Sequence, residues 1–370
     1  MAVIQRQFWI IRARDAIRYF TRKCVNCIRQ RASTMQQVMA DLPAFRVNQS
    51  RPFLKCGVDY AGPFMLKPLL KRSKITIKAY LAVFVCCVTR ALHLEVVSDL
   101  TTEAFLAALK RFIARRGRPT DVYSDCGTNF VGAMNEMKDV MRLLLSKSHN
   151  DKIANYMSTD GITWHLNSPA SPHFGGLWEA GVKSIKYHLR RVIGLQRLNF
   201  EEMTTVICQI EAILNSRPLT AESTDPQDLA ALTPGHFLIG APLTAIPEPS
   251  LDHIKQNQLS RWQLLQQLMQ SFWKRWSAEY LTRLQQRPKW MAGNKKISVG
   301  ELVLIKDENL PQLKWKLGRV LALHPGPDSI VRVVTLKTSN GEIKRPIVKI
   351  CPLSVPSSDP NQDDDLVLTL

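Results

Sequence analysis

Apolar positions along the chain follow two periods, and the change from one to the other divides it into zones. Residues 1–45 are basic and helical in pattern. Residues 46–240 alternate strand-like apolar runs with helical stretches. Residues 250–290 form one amphipathic helix, residues 297–353 read as short strands, and 354–370 is a polar tail ending DDDLVLTL. In the second zone Cys56 to Tyr60 is a short strand. Ala79 to Val88 is a continuous apolar run and Ala91 to Val97 alternates, with Thr89-Arg90 between them, which suits neighbouring strands of a buried sheet. Leu100 to Phe112 has helical spacing, Thr101 or Thr102 as cap and a Gly-Arg-Pro stop at 117–119. Asp121 to Ser124 is a further short strand. The succession predicts a mixed α/β layer fold.

Beyond Pro172 a helix is predicted with two faces. Val182, Ile185, Leu189 and Val192 share an apolar one, while Glu179, Lys183, Lys186 and Arg190 share a polar one that can point into a cleft. Another helix over 201–214 carries Met203, Ile207, Ile210 and Leu214 on its stripe. In the third zone Trp262, Leu265, Met269, Phe272, Trp276 and Tyr280 recur at steps of three and four, as in a stripe packed on a core. Four strands are expected in the last zone, over Glu301 to Lys306, Leu317 to Leu323, Ile330 to Thr335 and Glu342 to Lys349. Turns at Pro325-Gly326-Pro327-Asp328 and Asn340-Gly341 join the later ones, as in a small closed barrel of the SH3 type.

Composition adds a partner. The 370 residues allow two or three domains, and 45% apolar content is enough for a sizeable core. Fifty Lys and Arg stand against 31 Asp and Glu, a net charge of +19, and such a field attracts polyanions. No run is long and apolar enough for a transmembrane helix, and the basic start is unlike a secretory signal. The expectation is an intracellular protein with a nucleic-acid partner and no membrane. The eight cysteines are expected to stay reduced, Cys86 and Cys87 as small core residues.

Three acids stand where separate elements begin or end: Asp59 and Asp125 at strand ends, Glu179 at the start of the amphipathic helix. Carboxylates brought together repel one another unless a cation joins them. Hard divalent ions such as Mg²⁺ or Mn²⁺ take such oxygen ligands, and two of them can clamp the attacking and leaving oxygens of a phosphoryl displacement. Spacing alone does not single these three out of 31 acids; their neighbours in sequence do.

The segments GVDYAGPF (57–64), TRALHLE (89–95), SDCGTNF (124–130), HLNSPASPHFGGLWEAGVKSIK (165–186), ILNSRPL (213–219) and LTPGHFLIG (232–240) resemble the integrases of retroviruses and LTR retrotransposons, most closely the Pao/BEL type. The resemblance covers residues 46–240. It implies a ribonuclease H-like core with Asp59, Asp125 and Glu179 as catalytic metal ligands, two Mg²⁺ or Mn²⁺ ions, and contact of Lys183 and Lys186 with the ends of the element's DNA. The implied reaction trims the DNA 3′ end and then joins it to target double-stranded DNA, by a homo-oligomer, in the nucleus. Asn129 and Arg190 are further candidates for DNA contact, and the zone at 297–353 is similar to the small barrel of these proteins.

Two departures accompany the resemblance. Fifty-three residues separate Asp125 from Glu179, more than in retroviral integrases, and the excess around Met137 to Ile162 is expected to form an added helix and loop. The family's N-terminal zinc module needs two His before its two Cys; Cys24 and Cys27 are present, and no His precedes them. This half site reads as a truncated module that holds no zinc. Trp178 is expected to pack and His165 and His173 to be loop histidines. Arg115, Arg116 and Arg118 read as a solvated face with some phosphate contact. Two other readings remain open at this point: a catalytically inactive DNA-binding descendant, and a simple ribonuclease H-type nuclease.

Overall fold

The computed structural model describes residues 11–25, 43–68, 75–124, 161–166, 185–189, 191–194, 196–223, 225–285, 297–307, 310–328 and 330–353. The expected added helix and loop around Met137 to Ile162 lies outside them, save Gly161 and Ile162. Two compact units are present, residues 1–43 and 44–370. In the first, helix α1 (Ala13–Lys23) is basic in its last turn, and Lys23 lies over the ring of Tyr19 at 4.5 Å.

The second unit starts with the single turn α2 (Ala44–Val47) and a five-stranded mixed sheet. Its strands are β1 (Lys55–Leu66), β2 (Ile77–Cys86), β3 (Leu92–Val97), β4 (Asp121–Ser124) and β5 (Thr163–Leu166), in the order β3-β2-β1-β4-β5. The first three strands run antiparallel; β4 lies parallel to β1 and β5 parallel to β4. Helix α3 (Thr102–Arg116) follows β3. Thr101 caps it by accepting a hydrogen bond from the Ala104 amide, and Gly117 ends it at φ 83°, a left-handed conformation that suits glycine.

The sheet divides two apolar clusters. On one face Cys56, Val58, Ala82, Phe84 and Val122 pack with Phe53, Phe105, Leu109 and Phe112, the last three from α3. Phe84 and Phe112 stack at 4.3 Å. Fully burying a side chain of this size stabilises by about 1.5–3 kcal/mol. On the other face Ala61, Val83, Val85, Leu92, Leu94 and Val96 meet Ile185, Leu189 and Val192, helix α4 (Phe200–Asn215) and one side of α6 (Arg261–Leu284). The expected stripe of α4 is buried throughout: Met203, Ile207, Ile210 and Leu214 are at most 4% exposed.

Helix α6 packs into this cluster through Leu265, Met269, Phe272, Trp276 and Tyr280, as its spacing predicted. Trp262 departs from the stripe. It lies in the first turn and is 58% exposed. The burial on α6 is also wider than the expected stripe, because a second layer covers it. Short strands β6 (Thr220–Ala221) and β7 (Ala231–Leu232) precede helix α5 (Pro234–Ile239). A C-terminal antiparallel sheet then follows in the order β11-β10-β9-β8-β12. Its strands are β8 (Leu302–Ile305), β9 (Leu317–Pro325), β10 (Val331–Thr338), β11 (Gly341–Pro346) and β12 (Ile350–Pro352). Leu281 of α6 packs with Leu302, Leu304, Cys351, Ala221 and Ala231, and the Cys351 thiol donates to the Leu281 carbonyl. Buried Arg319 donates to the carbonyls of Ser223, Asp228 and Gly300, tying the β6–β7 loop to this sheet.

Of the expected turns, 325–328 joins β9 to β10. The β10–β11 hairpin turns one residue earlier than Asn340-Gly341, on Ser339-Asn340, since Thr338 pairs with Gly341. Strand β12 was not expected: its three residues follow a short 3-10 turn (Ile347–Lys349) that interrupts the apolar alternation.

Candidate catalytic face

Alternation along β1 sends Cys56 and Val58 to the α3 side, and Asp59 with Ala61 to the side covered by Ile185 and Leu189. Asp59 lies opposite Val83 of β2, is half-buried, and its Oδ1 accepts the Tyr60 amide at 2.7 Å. The β1–β4 register pairs Lys55 with Asp121, Cys56 with Val122 and Gly57 with Tyr123. Strand β4 therefore lies beside the start of β1, and its last paired residue, Tyr123, is opposite Gly57, two residues short of Asp59. Asp125 follows Ser124 directly in the sequence and lies outside the described residues, as do Glu179, Lys183, Asn129, Arg190, Cys27 and the side chains of Trp178 and His173.

The helical predictions can be followed at residues 185–189 and 191–193, which are helical. Ile185, Leu189 and Val192 are buried, while Lys186 is half-exposed, so the apolar face turns to the sheet and Lys186 away from it. The same helix carries a residue that sequence reasoning missed. His188 is 2% exposed, and its Nε2 lies 3.0 Å from Glu279 of α6; burial depresses its pKa against the pull of Glu279. The signal was a histidine next to the apolar stripe facing an acid on another helix.

Beside the sheet's parallel half, His165 of β5 stacks on Tyr123 at 4.5 Å, and Tyr123 stacks on Phe45 at 4.7 Å. Asp121 joins them, with an Oδ1–Nε2 distance of 2.8 Å to His165 and an ion pair to Lys55 at 3.5 Å. Burial works upward on the Asp121 carboxyl, but hydrogen bonds from His165 and Thr120 outweigh it and hold the pKa below its ordinary value. His165, expected on a loop, is thus a strand residue with its polar edge already engaged.

The opposite edge of the sheet is closed by side chains. Asn215 of α4 accepts from the Leu92 amide and donates to the Leu92 carbonyl, both at 2.8 Å. Glu211 accepts the Leu94 amide at 2.8 Å, and Arg111 donates to the Val96 carbonyl at 3.3 Å. Behind them His93, fully buried, lies 3.0 Å from Glu95 through Nε2 and accepts from Arg116 at Nδ1 at 3.2 Å. Arg116 also pairs with Glu211, and Arg111 and Arg115 pair with Glu95. Arg115 and Arg118 are exposed, as their charge run suggested, although Arg115 also reaches Glu95 of β3; Arg116 departs from that reading, being partly buried against Glu211 of α4. The segments TRALHLE and ILNSRPL meet here: they clasp each other along β3, and Arg217 donates to the Arg90 carbonyl at 2.7 Å.

Among the described residues no group of three or more His, Cys, Asp or Glu is placed to hold a metal ion. Asp59 is the one member of the expected triad within them. No helix of the described residues is long and apolar enough to cross a membrane.

Comparison with known proteins covers the stretch of sequence that holds this face. Residues 58–172 match the family described as Integrase core domain, a span that opens one residue before Asp59 and includes Asp125. Residues 260–353, which are α6 and the C-terminal sheet, match the Family of unknown function (DUF5641). No curated relative matches the chain. Among solved structures, an intasome of simian T-cell lymphotropic virus in complex with the PP2A regulatory subunit B56 gamma is 13% identical, over 93% of this chain and 92% of that one, at a TM-score of 0.36. The HTLV-2 integrase catalytic core domain in complex with magnesium (trimeric form) is 15% identical, over 51% of this chain and 97% of that one, at 0.31. Through the family matched over residues 58–172, that part of the chain is similar to integrase core domains.

Proposed function

We propose that the chain is the integrase of an LTR retrotransposon of the Pao/BEL type, with a ribonuclease H-like core and an SH3-like C-terminal domain. It trims the 3′ ends of element DNA and joins them to target DNA. The observation that carries this is the β1–β4 register. It brings the end of β4 beside Asp59, on the face crossed by the helix of Ile185 and Leu189. Asp125 follows Ser124 directly in the sequence, and Glu179 precedes Ile185 in the segment predicted to begin this helix.

The donor set fits a hard divalent cation. Three carboxylates supply oxygen only, as Mg²⁺ and Mn²⁺ prefer. Asp59, Asp125 and Glu179 would hold it, and when bound it supplies charge stabilisation to the attacking and leaving oxygens of an in-line phosphoryl transfer. The chain's own contribution is position. Asp59 is fixed by the rigid centre of β1 and by its bond from the Tyr60 amide. Lys186 faces away from the sheet, beside the expected path of a DNA end, with Lys183 and Arg190 on the same predicted face and Asn129 in the Asp125 segment. The net charge of +19 favours double-stranded DNA as partner, a homo-oligomer is expected on it, and the nucleus is the expected site of action.

The test is a joining assay with a short blunt duplex in Mg²⁺. Joined products that disappear with excess chelator or on Asp125→Asn, with duplex binding retained, are expected. Joining that survives both treatments overturns the proposal. Cleavage without joining favours the simple nuclease reading, and binding alone favours an inactive descendant.

A further inference from the structure

The Arg90–Arg217 contact lies beside a group of positive charges around the Cys86 and Cys87 thiols, with no carboxylate paired to them among the described residues. Arg217 is 3% exposed, and its guanidinium donates to the carbonyls of Leu214 at 2.6 Å and Arg90 at 2.7 Å. It thereby pins the β2–β3 turn, where Arg90 takes φ 58°. The Arg90 side chain is half-buried beside Arg217 and Arg46 of α2, and each of these cations makes the Arg90 charge harder to hold. Burial acts in the same direction and comes first, so the Arg90 pKa falls to about 10. The Nε of Arg46 is buried with no hydrogen-bond partner. Among the described residues no carboxylate forms an ion pair with Arg46, Arg90 or Arg217, whereas the arginines at 111, 115 and 116 all do.

Guanidinium groups gathered without a counter-charge repel one another, and a half-buried one loses hydration as well. Arginine presents rigid, forked donors that match the oxygens of a phosphate, which is the common use of such a group. We propose that Arg46 and Arg90, on the turn that Arg217 positions, form a phosphate-binding site separate from the catalytic face. Its distance from that face follows from the strand. The Cys87 amide, just before the turn, donates to the Lys55 carbonyl at 3.0 Å, and Asp59 lies four residues further along β1, about 13 Å at the usual rise. The ligand is a phosphate group, carried by a DNA backbone or by a small phosphate compound. The site does not depend on the catalytic reading, since no residue of the acidic triad takes part.

The experiment uses the full chain, with Arg46→Gln/Arg90→Gln as the main variant and two probes at constant ionic strength, inorganic phosphate and a short duplex. Phosphate is expected to raise the melting temperature of the wild type in a concentration-dependent way, and to do so less in the variant. Without phosphate the variant is expected to melt at the same temperature or higher, because the repulsion is relieved. A purely structural role for the arginines moves that temperature down. In the duplex arm, a fall in the salt slope of binding of about 0.9 for each lost contact assigns the phosphate to DNA. A phosphate response lost with an unchanged duplex slope assigns the site to a small phosphate compound. Arg46→Lys keeps the charge and loses the fork, so it is expected to bind phosphate more weakly than the wild type while still folding. Equal phosphate and duplex responses in wild type and the double variant overturn the site. Asp59→Asn, run alongside, is expected to leave both arms unchanged, which keeps a failure here distinct from a failure of the catalytic proposal.

Discussion

The two sides of the central sheet use acidic residues in opposite ways. At the β3 edge every residue of the strand is buried, and each carboxylate there is met by cations: Glu95 by Arg111 and Arg115, Glu211 by Arg116. On the β1–β4–β5 side the strands carry half-buried polar groups, Asp59, Asp121, Tyr123 and His165, on the face that the Ile185 helix crosses. An acid surrounded by arginines on a sealed edge holds the fold together. An acid at the centre of a strand, on a face with room for polar groups, is placed to do chemistry. The difference separates the residues of one family resemblance into two roles. TRALHLE and ILNSRPL close an edge that would otherwise pair with other chains, while the reaction proposed for the chain is assigned to the segments around Asp59 and Asp125.

The sharpest way to break the sealed edge is Glu211→Ala. It strands Arg116, removes a partner of His93 and leaves the Leu94 amide unpaired, so a loss of about 3–5 kcal/mol in urea unfolding is expected, as for breaking one side of a buried pair. A loss below about 1 kcal/mol, the scale of a surface pair, would place this cluster in solvent. Next comes Asn215→Ala, which orphans two buried backbone groups of Leu92 at about 1–3 kcal/mol each. It also frees the edge, so light scattering should show association above that of the wild type.

The smallest effect is on pH dependence. Burial, first among the influences on His93, holds its pKa below the ordinary 6.5 despite the pull of Glu211. Burial pushes Glu211 upward, but its bonds with His93 and its pairing with Arg116 prevail, so its pKa lies below the ordinary 4.5. In both cases the unfolded chain binds more protons, so stability falls as pH falls. The His93 share begins to be lost below 6.5 and the Glu211 share below 4.5. Glu211→Gln, followed by thermal melts across this range, is expected to remove the lower step; an unchanged profile would show that Glu211 carries no such share.

Sequence periodicity is enough to find β2, β3, α3 and α4, because each is a run long enough to show its period, and Thr101 and Gly117 mark the ends of α3 by their chemistry. Strand β5 was missed, since Thr163 to Leu166 is too short to show alternation. The closing of β3 was not visible either. Side chains of Glu211 and Asn215 reach backbone groups 117 and 123 residues away, and no local pattern records such a bond. The three acids could be picked out only through the segments around them. For the same reason Arg116 looked solvated, since its partner Glu211 becomes a neighbour only when α3 and α4 meet at β3.

One measurement tests the division most directly: DNA joining in Mg²⁺ by Asp59→Asn and Glu95→Gln, each beside its urea unfolding curve. The account predicts that Asp59→Asn loses joining by a factor on the order of 10³ or more while its unfolding midpoint stays near that of the wild type. Glu95→Gln, which leaves Arg111 and Arg115 without their charge partner, is predicted to lose stability and to keep joining wherever it remains folded. Full joining by Asp59→Asn, or a stable Glu95→Gln that cannot join, would contradict it.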